Sequence, residues 1–388
     1  MAAPELPLAL YIHLPWCVRK CPYCDFNSHA NQSPPYDRYV VKLLADLDVE
    51  LRSPAALRPF SSIFIGGGTP SLFPGAAIKT LLDGIRSRTA LENDIEITLE
   101  ANPGTADAHR FADYRAAGVN RLSIGVQSLS AIQLTQLGRI HDPAEARGAV
   151  ALARVAGFNN LNLDLMFALP DQTMAEAAAD LDALLELIPE HVSYYQLTLE
   201  PDTAFHARPP ALPDSDLAAD LAAQGLERLS RAGYVQYEVS AYAGAGRQCR
   251  HNLNYWRFGD YLGIGAGAHG KLTELAETGT WRIRRTAKHA QPSDYLDARP
   301  DALIASQHAL EASDCICEFA LNALRLTDGF EPDLFSRATG LPFTRIADPV
   351  RRAAAEGLLT VSARRIQPTA LGRAFLDDLV LRFAEAAT

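Results

Sequence analysis

No apolar stretch in this chain of 388 residues approaches the 18 or more that a helix needs to cross a bilayer. Nothing in it resembles a secretion signal, so a soluble, cytoplasmic protein is expected. Positive charge is in deficit: 36 Lys and Arg stand against 46 Asp and Glu, a formal net charge of −10. Such a chain lacks the basic surface that holds phosphate backbones, and no nucleic-acid partner is expected. There is no internal repeat, low-complexity tract or long run of one charge. No GxGxxG opens the first strand–helix unit, which weighs against dinucleotide binding. Cysteine is scarce, six residues in all, and without a secretory context these thiols are expected free for metal rather than paired. What remains is ample: 48% of the residues are hydrophobic, enough for one large domain and a smaller one.

The few cysteines are unevenly placed. Cys17, Cys21 and Cys24 lie in Tyr11-Ile-His-Leu-Pro-Trp-Cys-Val-Arg-Lys-Cys-Pro-Tyr-Cys24 with C-x3-C-x2-C spacing, just after the apolar run Leu8 to Leu14. Pro22 inside the triplet works against a helix, so a loop wrapped around metal is expected. Three thiolates can hold three irons of a 4Fe–4S cluster and leave the fourth open to a chelating ligand. A structural zinc site needs a fourth ligand and usually a second C-x2-C pair or histidines. Here Cys249, Cys315 and Cys317 stand far downstream. The spacing favours the open-site cluster and is the signature of radical SAM enzymes.

Strand and helix patterns alternate from residue 61 to residue 241. Apolar strands are expected at Ser61–Ile65, Asp94–Glu100, Arg121–Gln127, Leu161–Phe167, Val192–Leu199 and Val235–Ala241. Helices are expected at Tyr36–Leu51, Ala76–Arg88, Thr105–Ala117, between Ala131 and Ala156, at Met174–Leu187 and at Asp216–Ala232. Such alternation predicts an α/β fold with a mainly parallel sheet. Gly66-Gly67-Gly68, Glu100, Gln127 and the cysteine loop all fall at strand C-termini, the active-site face of (β/α) barrels. A parallel barrel, complete or incomplete, is therefore expected over residues 1–243 and a connecting region over 244–310. Residues 311–388 read as a mainly helical, winged-helix-like domain ending in a helix from Leu371 to Ala384.

Several residues, at those strand ends and beyond them, have chemistry to offer. A glycine-rich turn lets backbone approach a ligand closely, though Gly-Gly-Gly-Thr-Pro70 is equally an ordinary turn. Glu100 suits a ribose or an ammonium, or simply caps a strand. Arg139 can pair a carboxylate in bidentate fashion. Asp164 interrupts an apolar strand, and a buried carboxylate needs a partner or a purpose.

Taken together, Tyr11 to Cys24, Gly66 to Pro70, Glu100-Ala-Asn-Pro103, Ser123 to Gln127, Arg139 and Asn162-Leu-Asp164 resemble the radical SAM core of the HemN/HemW family. His251-Asn-Leu-Asn-Tyr-Trp256, Gly263-Ile-Gly-Ala-Gly-Ala-His269 and the helical tail extend the resemblance over nearly the whole chain. It implies a partial (β/α)6 TIM-like barrel followed by a HemN-type C-terminal domain. It also implies cluster ligation by Cys17, Cys21 and Cys24. Contacts to S-adenosylmethionine (SAM) would come from Tyr11, Tyr23, Gly67, Gly68, Thr69, Glu100, Gln127, Arg139 and Asp164. In that superfamily the reduced cluster passes an electron to the SAM sulfonium, while the protein supplies binding and shielding.

Within the family the chain most resembles the HemW-type heme chaperones, and the alternative is an oxygen-independent coproporphyrinogen III dehydrogenase. The dehydrogenases carry a further cysteine two residues after the triplet, where this chain has Phe26, and a longer N-terminal segment than the sixteen residues before Cys17. Heme is thus expected as cargo rather than as a reaction product, with target hemoproteins as recipients, membrane respiratory enzymes among them, and a homodimer as the assembly. No catalytic residue is assigned. For heme, His251 is a candidate axial ligand, or else a hydrogen-bonded core residue, and Tyr255 and Trp256 are candidate covers for a macrocycle face. Cys249 is a second candidate ligand. Cys315 and Cys317 read as structural and His13 as a barrel-interior residue.

Overall fold

A computed structural model describes residues 6–275 and 281–387. Six strands are each followed by a helix: β1 Leu8–Leu14, β2 Phe60–Gly67, β3 Leu91–Ala101, β4 Arg121–Gln127, β5 Leu161–Phe167 and β6 His191–Gln196. All pair in parallel, in that order. The outward residues of each strand, such as Ile63 and Ile65, Leu122 and Ile124, or Leu161 and Leu163, are buried against the surrounding helices in one core. The inward residues are polar far more often, and they shape the site. This is the expected partial (β/α)6 barrel.

Beyond β6 the chain departs from simple alternation. Residues 235–241 do not form one strand: Val235–Glu238 turns back into Ala241–Ala243, which runs antiparallel to β6. The region 244–310 is more than a connection. Its strand Asp260–Ile264 joins the other edge of the barrel sheet, parallel to β1. His269–Leu275, Trp281–Lys288 and Ile304–Ala309 extend that edge antiparallel, giving twelve strands in one sheet. The glycine-rich segment Gly263 to His269 hid these strands because its two positive-φ positions, Gly265 and Gly267, form the reversal between them. Positive φ is nearly free only for glycine.

The C-terminal module has a separate core around Phe319, Phe335, Ile366, Leu379 and Phe383. It contains the helices Ala312–Ala323, Pro332–Thr339 and Ala347–Ala355 and the hairpin Leu359–Val361 with Ile366–Pro368. The last helix is broken at Phe375 (φ −116°, ψ 45°) into Ala370–Ala374 and Leu376–Ala387.

Candidate active site at the barrel mouth

The cysteine loop leaves β1 and folds over the C-terminal end of the barrel. It is stitched to the glycine turn after β2: Gly68 N–H donates to Leu14 O at 2.8 Å and Thr69 N–H to Trp16 O at 2.8 Å. A side chain at Gly68 would press into the Trp16 carbonyl, so the close approach needs glycine there. Thr69 Oγ1 donates to Cys17 Sγ at 3.4 Å, and Ser28 Oγ lies 3.9 Å from Cys24 Sγ. The Arg139 guanidinium holds the third thiol, with Nη1 3.7 Å from Cys21 Sγ and 3.5 Å from the Tyr23 hydroxyl, while Nη2 donates to Gly125 O at 2.7 Å.

These groups open on a cavity of about 550 Å3 that runs down the barrel. Cys17, Cys21, Cys24, Tyr23, Gly67, Gly68, Thr69, Glu100, Gln127, Arg139 and Asp164 all line it. Tyr11 alone among the expected residues does not. Its hydroxyl meets His13 Nδ1 at 3.0 Å and its ring stacks on Phe64, which does face the cavity. Tyr11 therefore supports the wall from one layer beneath.

Two carboxylates dominate the electrostatics. Glu100 accepts from Gly67 N–H at 3.1 Å, and Asp164 accepts from Asn162 Nδ2 at 2.7 Å. Burial, together with the Asp164 charge, pushes Glu100 up to about 8, and burial raises Asp164 as well. Among the described residues neither makes an ion pair, so the cavity favours a cationic ligand. Gln127 sits at positive φ (68°) where β4 ends, a strained conformation that aims its carboxamide inward. Its oxygen accepts from the Tyr195 hydroxyl at 2.7 Å, which leaves the amide to face the ligand space.

The donor set suits a cluster better than a single ion. Three separate thiols ring one mouth, yet no described group of three or more His, Cys, Asp and Glu residues is arranged around a single metal position. Burial raises the Cys17 and Cys24 thiols above their ordinary range, a penalty that metal removes by taking the thiolate. Among the described residues Arg139 Nε is buried without a hydrogen-bond partner, in the part of the cavity wall beside Cys21.

The sequence assigned no role to the residues of the lower wall, where Arg121, Asn162, His191, Ser193 and Tyr195 line the cavity, although Asn162 lies in the motif that carries the resemblance. They occupy alternate, inward positions of β4, β5 and β6, and only the strand period marks them. Asn252, from the downstream signature block, reaches the same cavity. The block's helix, Arg250–Trp256, packs across the barrel base, held by the Glu96 carboxylate, which accepts from Arg250 N–H at 3.0 Å.

That placement corrects the heme-ligand expectation for His251. The ring is 1% exposed, and both nitrogens are engaged, Nδ1 with Ser62 Oγ and Nε2 with the Tyr255 hydroxyl, each at 3.0 Å. An iron ligand needs a free ring nitrogen, so His251 serves as a core residue in this fold. Trp256 lies under the Arg325 guanidinium at 4.4 Å, and the pocket beside Tyr255 and Trp256 holds only about 180 Å3, too little for a macrocycle. Cys249 is fully buried and donates to Glu96, and burial pushes its thiol up to about 12, so it stays protonated.

The glycine-rich block acts elsewhere, seating the cysteine loop. Asn27 Nδ2 donates to Ala266 O at 3.0 Å and to Ala290 O at 2.9 Å, while Asn27 O meets His13 Nε2 at 2.8 Å. A side chain at Gly267 would land on Asn27 itself. Asn27→Ala is expected to leave three thiols able to bind iron but to release it severalfold faster to a ferrous chelator, followed by the decay of cluster absorbance. An unchanged release rate would mean that the loop is held elsewhere.

Two family models match the chain, the radical SAM superfamily over residues 11–184 and the HemN C-terminal domain over residues 310–375. The heme chaperone HemW of Escherichia coli K12 is 52% identical over 378 residues, covering 97% of this chain and 98% of its own. HemW of Haemophilus influenzae is 48% identical over 385 residues, covering 98% and 99%. Among solved structures, the coproporphyrinogen III oxidase HemN of E. coli, a radical SAM enzyme, superposes with a TM-score of 0.80. It is 24% identical and covers 98% of this chain and 91% of that one, a likeness of fold. Membership of the superfamily brings a 4Fe–4S cluster and SAM as cofactors. By near full-length identity and by both domains, the chain belongs to the HemW family of the radical SAM superfamily.

Proposed function

We propose that this protein is a heme chaperone: it binds heme and passes it to target hemoproteins. The observation that carries this is the 52% identity, over 97% of the chain, to a protein named for that role. When bound, the cluster would supply a low-potential electron and an iron site open to chelation by SAM. The chain's own part follows from its geometry. Cys17, Cys21 and Cys24 hold the cluster. Gly67 and Gly68 give a ligand access to bare backbone, and Thr69 holds Cys17. Glu100 and Asp164 pair with the positive charges of SAM, Gln127 offers its amide, and Arg139 with Tyr23 closes the side nearest Cys21. Tyr11 buttresses Phe64 from behind.

Among the described residues no helix is long and apolar enough to cross a membrane. Recipients in the membrane would be met by transient contact. A homodimer during transfer fits the same reading. One anaerobic experiment tests the function. The cluster is reconstituted, SAM and reductant are added, and heme and coproporphyrinogen III are offered in parallel. Stable heme binding and transfer to an apo-hemoprotein are expected. Catalytic formation of protoporphyrinogen IX would overturn the chaperone reading in favour of the dehydrogenase.

A further inference from the structure

With His251 and Tyr255 turned toward the barrel base, the other face of the helix Arg250–Trp256 looks onto the C-terminal module. Two clefts meet there, of about 660 Å3 and about 350 Å3, and they share a wall of Leu253, Arg257, Leu334 and Arg337. The larger lies within the range of sites that engulf drug-sized ligands. Both are cationic in a chain whose net charge is −10. Arg250 is occupied by Glu92 and Asp94, and Arg337 by Asp333 and Glu331. Arg257 and Arg365 have no acidic partner among the described residues; Arg365 donates to the Asp328 carbonyl at 3.2 Å. Apolar Phe330 and Leu326 line the smaller cleft beside them.

Among the described residues no histidine, cysteine or methionine lines either cleft. Tyr237 does, but its hydroxyl is taken by His191 Nε2 at 2.8 Å and by the Cys249 N–H at 3.3 Å. The chemistry on offer is therefore two guanidiniums without a carboxylate partner among the described residues, set beside apolar Leu253, Leu326, Phe330 and Leu334, with the Asp328 and Glu331 carboxylates also in the lining of the smaller cleft. That matches a flat, apolar dicarboxylate held by its acid groups.

Resting on the heme-chaperone reading, we propose that heme docks between the signature helix and the C-terminal module, its two propionates on Arg257 and Arg365, with no axial ligand from this chain. Such a grip leaves the iron open to the ligand of the recipient, and handover then breaks no iron bond to the chaperone.

The test compares hemin, metal-free protoporphyrin IX and hemin dimethyl ester by absorbance titration, on the wild type and on R257E/R365E and R257Q/R365Q. The two acids are expected to bind alike. The ester and both variants are expected to bind at least about tenfold more weakly, from the loss of two charge-assisted contacts. Circular dichroism and cluster absorbance report whether the variants fold. No hemin binding to the wild type would overturn the chaperone reading itself. Hemin bound but protoporphyrin rejected, or full affinity in both variants, would overturn only this inference. So would normal hemin binding with lost transfer, which would make the clefts a dock for an acidic segment of the recipient.

Discussion

A Lys288→Ala variant is expected to lose about 3–5 kcal/mol of stability, because it leaves two carboxylates buried without a cation. Lys288 Nζ sits between Asp46, at 2.6 Å, and Glu50, with all three side chains between 0% and 3% exposed. Arg284 reaches Glu50 only at 4.0 Å and cannot replace the lysine on Asp46. The damage would not stay local. Asp46 Oδ2 accepts from Gly265 N–H at 3.1 Å and from the Tyr295 hydroxyl at 2.8 Å, and Gly265 begins the turn that seats Asn27 and the cysteine loop. Denaturant titration of the cluster-free protein measures the stability, and iron release from the reconstituted protein measures the loop. With the lysine gone, the orphaned carboxylates take up protons in the folded state. The deficit should therefore shrink as pH falls from 8 to 5 and widen as it rises. A loss under about 1 kcal/mol, flat with pH, would show that water or a rearranged Arg284 already compensates the pair.

This network explains why part of the site was legible in the sequence and part was not. The cysteine triplet, the glycine turn, Glu100 and Gln127 sit at strand ends, and Asp164 interrupts an apolar strand, so each is visible as a polar break in an apolar run; Arg139, in the loop between the helices Ala131–Gln136 and Pro143–Val155, was picked out by its residue type and by the family resemblance. Asp46, Glu50 and Lys288 gave no such signal. Asp46 and Glu50 occupy a helix with ordinary charged spacing, and Lys288 ends a strand more than two hundred residues later in a region without strand signals. Their meeting depends on a sheet edge formed by chain reversal at Gly265 and Gly267, in a glycine-rich segment that reads as a connecting region. His251 failed for a related reason. A histidine beside Tyr255 and Trp256 has the composition of a heme pocket, but the helix carrying it packs across the barrel base, and burial against Ser62 and Phe64 makes it part of the core. Residue type announced the chemistry; only the packing decides which way a side chain faces.

The affinity for SAM should rise steeply with pH, by up to about tenfold per unit below the Glu100 transition, because the cation must displace the proton that burial keeps on this residue. Glu100 titrates near 8 in the ligand-free fold, against an ordinary value of 4.5. The groups that face it are Asp164, which raises it further, the Gly67 N–H, which lowers it, and the buried Tyr11 phenol, itself raised by burial and by the Glu100 charge. In the unfolded chain the proton leaves near 4.5, while in the folded chain it stays until about 8. Between these values folding binds a proton, so ligand-free stability must fall as pH rises across this window and then level off. The full shift corresponds to several kcal/mol, and the solvent reaching the open cavity reduces this to about 2–3. Asp164, raised in the same direction, adds to the same slope. Glu100→Gln carries no charge to desolvate. It should hold its melting temperature better from pH 6 to 9 and bind SAM at least about tenfold more weakly at pH 8, its affinity depending little on pH. Calorimetry in buffers of different ionisation enthalpy gives the second readout: near pH 7 the wild type should release close to one proton per SAM bound, and the variant close to none. Equal proton release from both would move the titrating group from Glu100 to Asp164.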